Sequence, residues 1–153
     1  MFLTNASMTD HISKKHRSWN MSRIKSADTQ PELIIRKRLF KYGYRYKLNG
    51  NVSKEHYSTG TLPGKPDIVL SKYKTVIFIH GCFWHHHLGC KRATWPKSNR
   101  GYWIPKIKKN IDRDKKNLRL LNKMGWNVII FWECEILDNK IEKKFDKVIK
   151  KMN

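Results

Sequence analysis

The tetrapeptide Val76-Ile77-Phe78-Ile79 is apolar at every position. A strand with one wet face alternates apolar and polar residues. An unbroken apolar run of strand length, rich in β-branched and aromatic residues, therefore belongs in a central strand covered on both faces. A second run of this kind spans Asn127–Trp132, after a long helical pattern. Together they confine the chain to an α/β architecture: a mixed β-sheet flanked by helices.

The flanking segments agree. Thr29-Gln30-Pro31-Glu32 reads as a capping box with Pro in the first turn, opening a helix to about Tyr42 that Gly43 closes. Its apolar stripe is Ile35, Leu39 and Tyr42. Residues 44–48 alternate like a strand, and 49–61 form a polar loop. Leu62-Pro63-Gly64-Lys65-Pro66 is a rigid turn, followed by strands over 67–70 and 75–79. A loop rich in His, Cys and Trp occupies 80–103. A long helix is expected over 105–124, ended by Gly125, and a basic amphipathic helix over about 137–151.

At 153 residues the chain fits one domain, expected over 29–153. Residues 1–28 are polar and carry Lys14, Lys15, Arg17, Arg23 and Lys25, which reads as a basic arm. No apolar run approaches the roughly 20 residues of a membrane span, and residues 1–10 lack the pattern of a secretory signal. A cytoplasmic location is expected. There are 33 Lys and Arg against 12 Asp and Glu, a formal charge of +21. The first candidate partner for such a charge is nucleic acid, whose phosphates release counterions on neutralisation. An anionic membrane explains the charge less well, since no segment separates basic and apolar faces cleanly. A merely solvated surface is the plainer alternative.

Three cysteines in a cytoplasmic chain argue for metal binding over a disulfide framework. Cys82, His87 and Cys90 give the spacing Cys-x4-His-x2-Cys, and Cys134 follows the distant strand. This donor set suits one tetrahedral Zn²⁺ that staples the loop to that strand. Inert cysteines beside a surface histidine are the alternative.

Asp67 follows Pro66 at the start of a strand. A hard carboxylate oxygen there can hold Mg²⁺ beside a scissile phosphate, although a turn aspartate is the plainer reading of position alone. On the long helix the inward stripe reads Ile104, Ile107, Ile111, Asp114, Leu118, Leu121; on the first helix the stripe extends back to Glu32. A buried carboxylate is costly unless paired or metal-bound. Convergence of both acids on a polar site explains them. So do a salt bridge for Asp114 and a cap for Glu32.

Four of the seven histidines cluster as His80, His85, His86 and His87. A histidine beside a metal-bound phosphate can take a proton from the attacking water. If 85–87 is extended, His85 and His87 share a side and His86 is a bystander. Phe83, Trp84, Trp95 and Trp103 lie in the same stretch. In so basic a chain these aromatics suggest stacking on bases or wedging between them, against ordinary packing.

These blocks, in order over about residues 17–137, resemble the very short patch repair (Vsr) DNA mismatch endonucleases. The resemblance is carried by Asn20-Met21-Ser22-Arg23-Ile24, Asp28-Thr29-Gln30-Pro31-Glu32, Leu62-Pro63-Gly64-Lys65-Pro66-Asp67, Asn110-Ile111-Asp112-Arg113-Asp114, and Gly125-Trp126 with Trp132-Glu133-Cys134. Its most specific block is Phe78-Ile79-His80-Gly81-Cys82-Phe83-Trp84-His85, with His87 and Cys90. The resemblance implies a fold like that of type II restriction endonucleases. It also implies Mg²⁺-dependent hydrolysis of one DNA strand, 5′ to the thymine of a T:G mismatch. Such mismatches arise by deamination of 5-methylcytosine, so a cytosine-5 DNA methyltransferase is the implied functional partner. By position, Asp67 binds Mg²⁺ with the backbone of Ile79, and His85 is the general base. Glu32, His80 and Asp114 support them. Cys82, His87, Cys90 and Cys134 hold Zn²⁺. Phe83, Trp84 and Trp103 wedge into the duplex, with Arg23 of the arm and Lys65 as further DNA contacts. The acid-x-Lys signature common among nucleases is absent; His80 to Cys82 stands in its place. A monomer follows as the expectation for cutting one strand. The rival readings are a restriction-type endonuclease cutting both strands of matched DNA and a non-catalytic, zinc-containing DNA-binding module.

Overall fold

The computed structural model describes residues 13, 15, 16, 19, 27–55 and 57–152. Most of the expected basic arm, including Arg23, lies outside the described residues.

The element order is α1 (Gln30–Lys41), β1 (Lys47–Leu48), β2 (Ile68–Leu70), a short 3-10 turn, β3 (Thr75–His80), α2 (Arg100–Lys123), β4 (Asn127–Trp132), α3 (Glu133–Leu137) and α4 (Glu142–Met152). Among the described residues the sheet has four strands in the order β1-β2-β3-β4. β1, β2 and β3 pair antiparallel, and β3 pairs parallel with β4 over its whole length, from Thr75↔Asn127 to His80↔Trp132. The sheet is mixed, as expected. The all-apolar strands owe their composition to two cores. Ile77, Ile79, Ile129 and Phe131 face α1, α3 and α4, where Ile35, Leu39, Ile136 and Phe145 pack. Val76, Phe78, Val128 and Ile130 face α2, with Leu118 and Leu121. Successive residues point to opposite faces of a strand, so burial on both sides requires an apolar residue at each position. This three-layer arrangement is consistent with the restriction-endonuclease-like class. No helix among the described residues is long and apolar enough to cross a membrane.

Several boundaries differ from the expectation. The long helix begins at Arg100, five residues before Pro105. Proline lacks the N–H that Gly101 would have accepted, but Gly101 is exposed to water, so the missing bond is tolerated early in the helix. Trp103 therefore sits on a helix and not in the loop. Tyr42 caps α1 and is 55% exposed, so it does not extend the buried stripe. The expected tail helix over about 137–151 begins instead at Glu142, and a separate short helix, α3, ends at Leu137 before it, the two parted at Asn139 by a left-handed φ of 54°. Cys134 accordingly lies in α3, which follows directly on β4.

Candidate active site and thiol cluster

β3 runs further than β2. The last β2 pair is Ile68↔Ile77, so beyond it the main chain of Ile79 is free to meet a side chain. The Ile79 N–H donates to Asp67 Oδ2 at 2.7 Å. This bond fixes the carboxylate at the sheet's end, in a pocket that Glu32, Ile79, His80, His85 and Asp114 also line. Burial pushes the Asp67 carboxyl up to about 6, against the pull of the Ile79 N–H, and the negative charge of Glu32 adds to the rise. A buried carboxylate held out of water is the condition that a bound dication relieves. The Asp67 carboxylate and the Ile79 carbonyl are hard oxygen donors of the kind that suits Mg²⁺.

Glu32 does two jobs. Its carboxylate accepts from Thr29 Oγ1 at 2.9 Å, from the Asp28 N–H at 3.0 Å and from Arg36 Nη2 at 2.9 Å. The expected capping box is thereby altered: the acid reaches back to the N–H before the cap, and Thr29 donates to the acid instead of accepting from the helix. Arg36 is also bound to Asp28 at 2.5 Å, so the buried charge of Glu32 is compensated. Glu32 is both a cap and a pocket wall.

On the opposite wall Asp114 Oδ2 lies 2.5 Å from His85 Nδ1. Burial raises the Asp114 carboxyl, but the His85 bond and the surrounding positive charge outweigh it and hold the group below its ordinary value. A neutral imidazole that donates Nδ1–H to this carboxylate keeps a lone pair on Nε2. His80 stacks on His85 with ring centroids 3.8 Å apart and planes 7° from parallel. Burial, followed by His85, lowers His80 to about 3. Burial thus favours its neutral form, and the stacked ring braces His85.

The loop after β3 is not extended. Hydrogen bonds from His85 N–H to Gly81 O and from His87 N–H to Cys82 O coil it into turns. His85 and His87 consequently do not share a side, contrary to the extended-chain reasoning. His85 faces the carboxylates, and His87 faces the cysteines. His86 lies apart, with its ring 4.2 Å from that of Trp95.

The donor atoms of Cys82, His87, Cys90 and Cys134 all lie within 4.8 Å of one another. His87 Nδ1 is 3.8 Å from Cys82 Sγ and 3.3 Å from Cys134 Sγ. Tetrahedral bonds of the usual Zn–S and Zn–N lengths put such edges at roughly 3.6 Å, so the set fits a tetrahedral thiophilic cation. Stacking on Trp132 at 4.1 Å orients the His87 ring. Burial raises the Cys82 and Cys134 thiols, whereas the Arg92 N–H lowers Cys90.

Phe83, Trp84 and Trp103 form one partly exposed patch with ring centroids 5.2–5.8 Å apart. It touches the pocket through Trp84. Lys65 lines the same pocket from the 62–66 turn. The structure adds residues that the sequence reading did not single out. Tyr102 joins the patch, with Lys106 above the rings of Tyr102, Trp103 and Trp84, and Asn110 donates to Trp84 O at 3.2 Å. Helical spacing from Trp103 could have found Lys106 and Asn110. Glu133 lines the pocket and accepts the Cys82 N–H at 3.3 Å, linking it to the thiol cluster. Arg113 also lines the pocket. Arg113 and Glu133 stand inside the Asn110–Asp114 and Trp132-Glu133-Cys134 blocks, beside Asp114 and Cys134, which was the signal on offer.

Residues 9–92 match the family described as DNA mismatch endonuclease Vsr. The chain is 48% identical over 134 residues to the type II nicking enzyme V.NmeAIP of Neisseria meningitidis serogroup A, covering 88% of this chain and 89% of the relative. It is 40% identical to the type II nicking enzyme V.XorIIP of Xanthomonas oryzae pv. oryzae, over 86% and 89% of the two chains. It is 37% identical to the DNA mismatch endonuclease Vsr of Escherichia coli, over 84% and 76%.

Proposed function

The chain belongs to the Vsr family of DNA mismatch endonucleases, and from that premise we infer that it nicks one strand of duplex DNA 5′ to the thymine of a T:G mismatch. The observation that carries this reading is the convergence, beside an exposed aromatic patch, of a fixed carboxylate and an oriented histidine: Asp67 bound by Ile79, and His85 bound by Asp114.

The residues divide the work. Phe83, Trp84 and Trp103 offer π-faces to the bases, and a wobble pair unstacks at less cost than a matched one, which contributes to selectivity. Lys65 and the basic arm with Arg23 hold phosphates. His85 Nε2 takes the proton of a water as its oxygen attacks phosphorus; the new P–O bond forms as the bond to the leaving oxygen breaks. Asp114 keeps the imidazole in the accepting tautomer and stabilises the imidazolium. His80, neutral and stacked, keeps the ring in place. Asp67 and the Ile79 main chain would hold Mg²⁺, which when bound offsets negative charge on the phosphate and the leaving oxygen, and Glu32 supports them from the pocket wall. Cys82, His87, Cys90 and Cys134 would hold Zn²⁺ and pin the catalytic loop to α3. One site per chain suits a monomer acting on one strand. A cytosine-5 DNA methyltransferase, as the source of deaminated 5-methylcytosine, is the functional partner, and the thiol cluster suits the reducing cytoplasm.

The test uses end-labelled duplexes, one with a T:G mismatch and one fully paired, in Mg²⁺ or EDTA, with Asp67→Ala alongside. A single nick 5′ to the thymine, absent in EDTA and in the variant, is expected. Cutting of both strands of the paired duplex would assign a restriction enzyme. Binding without cleavage would leave a DNA-binding module.

A further inference from the structure

We propose that Arg113 is a catalytic residue: its guanidinium contacts a non-bridging oxygen of the scissile phosphate in the pocket formed by Asp67, His85 and Asp114. The inference rests on the nuclease reading above and adds a residue to it.

Hydrolysis adds negative charge to the phosphate as water attacks; Mg²⁺ at Asp67 would offset part of it, and a guanidinium on the opposite wall can offset charge on a further non-bridging oxygen. The acid-x-Lys lysine that serves many nucleases is absent from this chain. Arg113 lines the pocket, yet 59% of its side chain is exposed. Its one ion-pair contact among the described residues is to Asp114 Oδ1 at 3.7 Å, too long for a hydrogen bond. Its fork of donors is therefore open, on the residue next to the one that orients His85.

The turn carrying Lys65 is seated against the same helix. Gly64 has a φ of +74°, and a Cβ there would lie 2.8 Å from Asn117 Nδ2. Asn117 is four residues beyond Arg113, hence on the same helix face. Lys65 and Arg113 both line the pocket. A planar guanidinium matches two phosphate oxygens, whereas a flexible ammonium supplies a point charge. The geometry therefore gives Arg113 the reacting phosphate and Lys65 a general attraction.

The experiment measures single-turnover nicking of a T:G duplex at saturating enzyme, and DNA binding in EDTA, for wild type, Arg113→Ala and Arg113→Lys. The wild type is run beside Asp67→Ala. The expected result is a fall of about 10²–10³-fold in the saturated rate for Arg113→Ala, with binding within about threefold and partial rescue by lysine. A phosphorothioate at the scissile position tests contact: sulfur accepts poorly, so the effect of Arg113→Ala should shrink on the isomer with sulfur toward residue 113. A saturated rate within threefold of wild type overturns the proposal and leaves the nuclease reading intact. So does a loss confined to binding with a salt slope lower by about one. A wild type that nicks no duplex overturns both.

Discussion

His85 Nδ1 and Asp114 Oδ2 lie 2.5 Å apart, joining a turn after β3 to the middle of α2. The bond selects one tautomer and leaves Nε2 as the acceptor. Replacing Asp114 by Asn keeps the shape but offers an amide that can accept or donate, so the wrong tautomer becomes available. Asp114→Asn and His85→Ala should each lower the saturated nicking rate by about 10²–10⁴-fold, and the double variant should be little worse than either. Additive losses would show that the two act separately.

Asp67 should make both function and stability depend on pH. Its folded carboxyl is raised from 3.8 to about 6, so in metal-free protein burial favours the neutral form. The associated stability is fully present below pH 3.8 and is lost as pH rises through 6. Asp67→Asn, which is neutral throughout, should therefore stabilise the metal-free protein at pH 7.5 by up to about 3 kcal/mol, read as a higher Tm, and leave the Tm unchanged near pH 4. Mg²⁺ needs the ionised carboxylate, so Mg²⁺ affinity by calorimetry should weaken as pH falls below about 6. A Tm gain equal at both pH values would contradict the assignment.

The thiol cluster should carry about one zinc per chain by elemental analysis, and loading should release protons from the raised Cys82 and Cys134 thiols. Cys134→Ser should lose the metal and lower the Tm. It should also reduce nicking, because Cys82 and His87 flank the loop that presents His85. Full metal content in Cys134→Ser would remove Cys134 from the ligand set.

Gly64→Ala should destabilise the chain by about 1–3 kcal/mol. Both a left-handed φ and a Cβ within 2.8–3.0 Å of three Asn117 atoms oppose it. Gly43→Ala, at φ +84° with nothing within 4 Å, meets the backbone penalty alone. Chemical denaturation of the pair should show the larger loss at Gly64, and only that variant should also weaken DNA binding through the displaced Lys65. Equal losses would show that the Asn117 contact is easily relieved.

The amino-acid sequence by itself determined the layers. Val76–Ile79 and Val128–Phe131 are apolar throughout because each strand packs against a core on both of its faces, and packing acts residue by residue. It also determined the chemistry on offer, since Cys82, His87 and Cys90 are close in the chain and a carboxylate after Pro66 opens a strand. What it could not decide was direction. Whether His85 faces His87 or Asp114 depends on the turns from Gly81 to His87. Whether Glu32 caps or catalyses dissolved once Arg36 and Thr29 were seen to share it. That Arg113, Glu133 and Lys65 meet Asp67 at one pocket depends on the parallel pairing of β3 with β4 and on the seating of Gly64 against Asn117. These are contacts between segments tens of residues apart. Local propensity and periodicity are properties of neighbours in sequence, whereas an active site is set by the packing of elements that only the tertiary structure brings together.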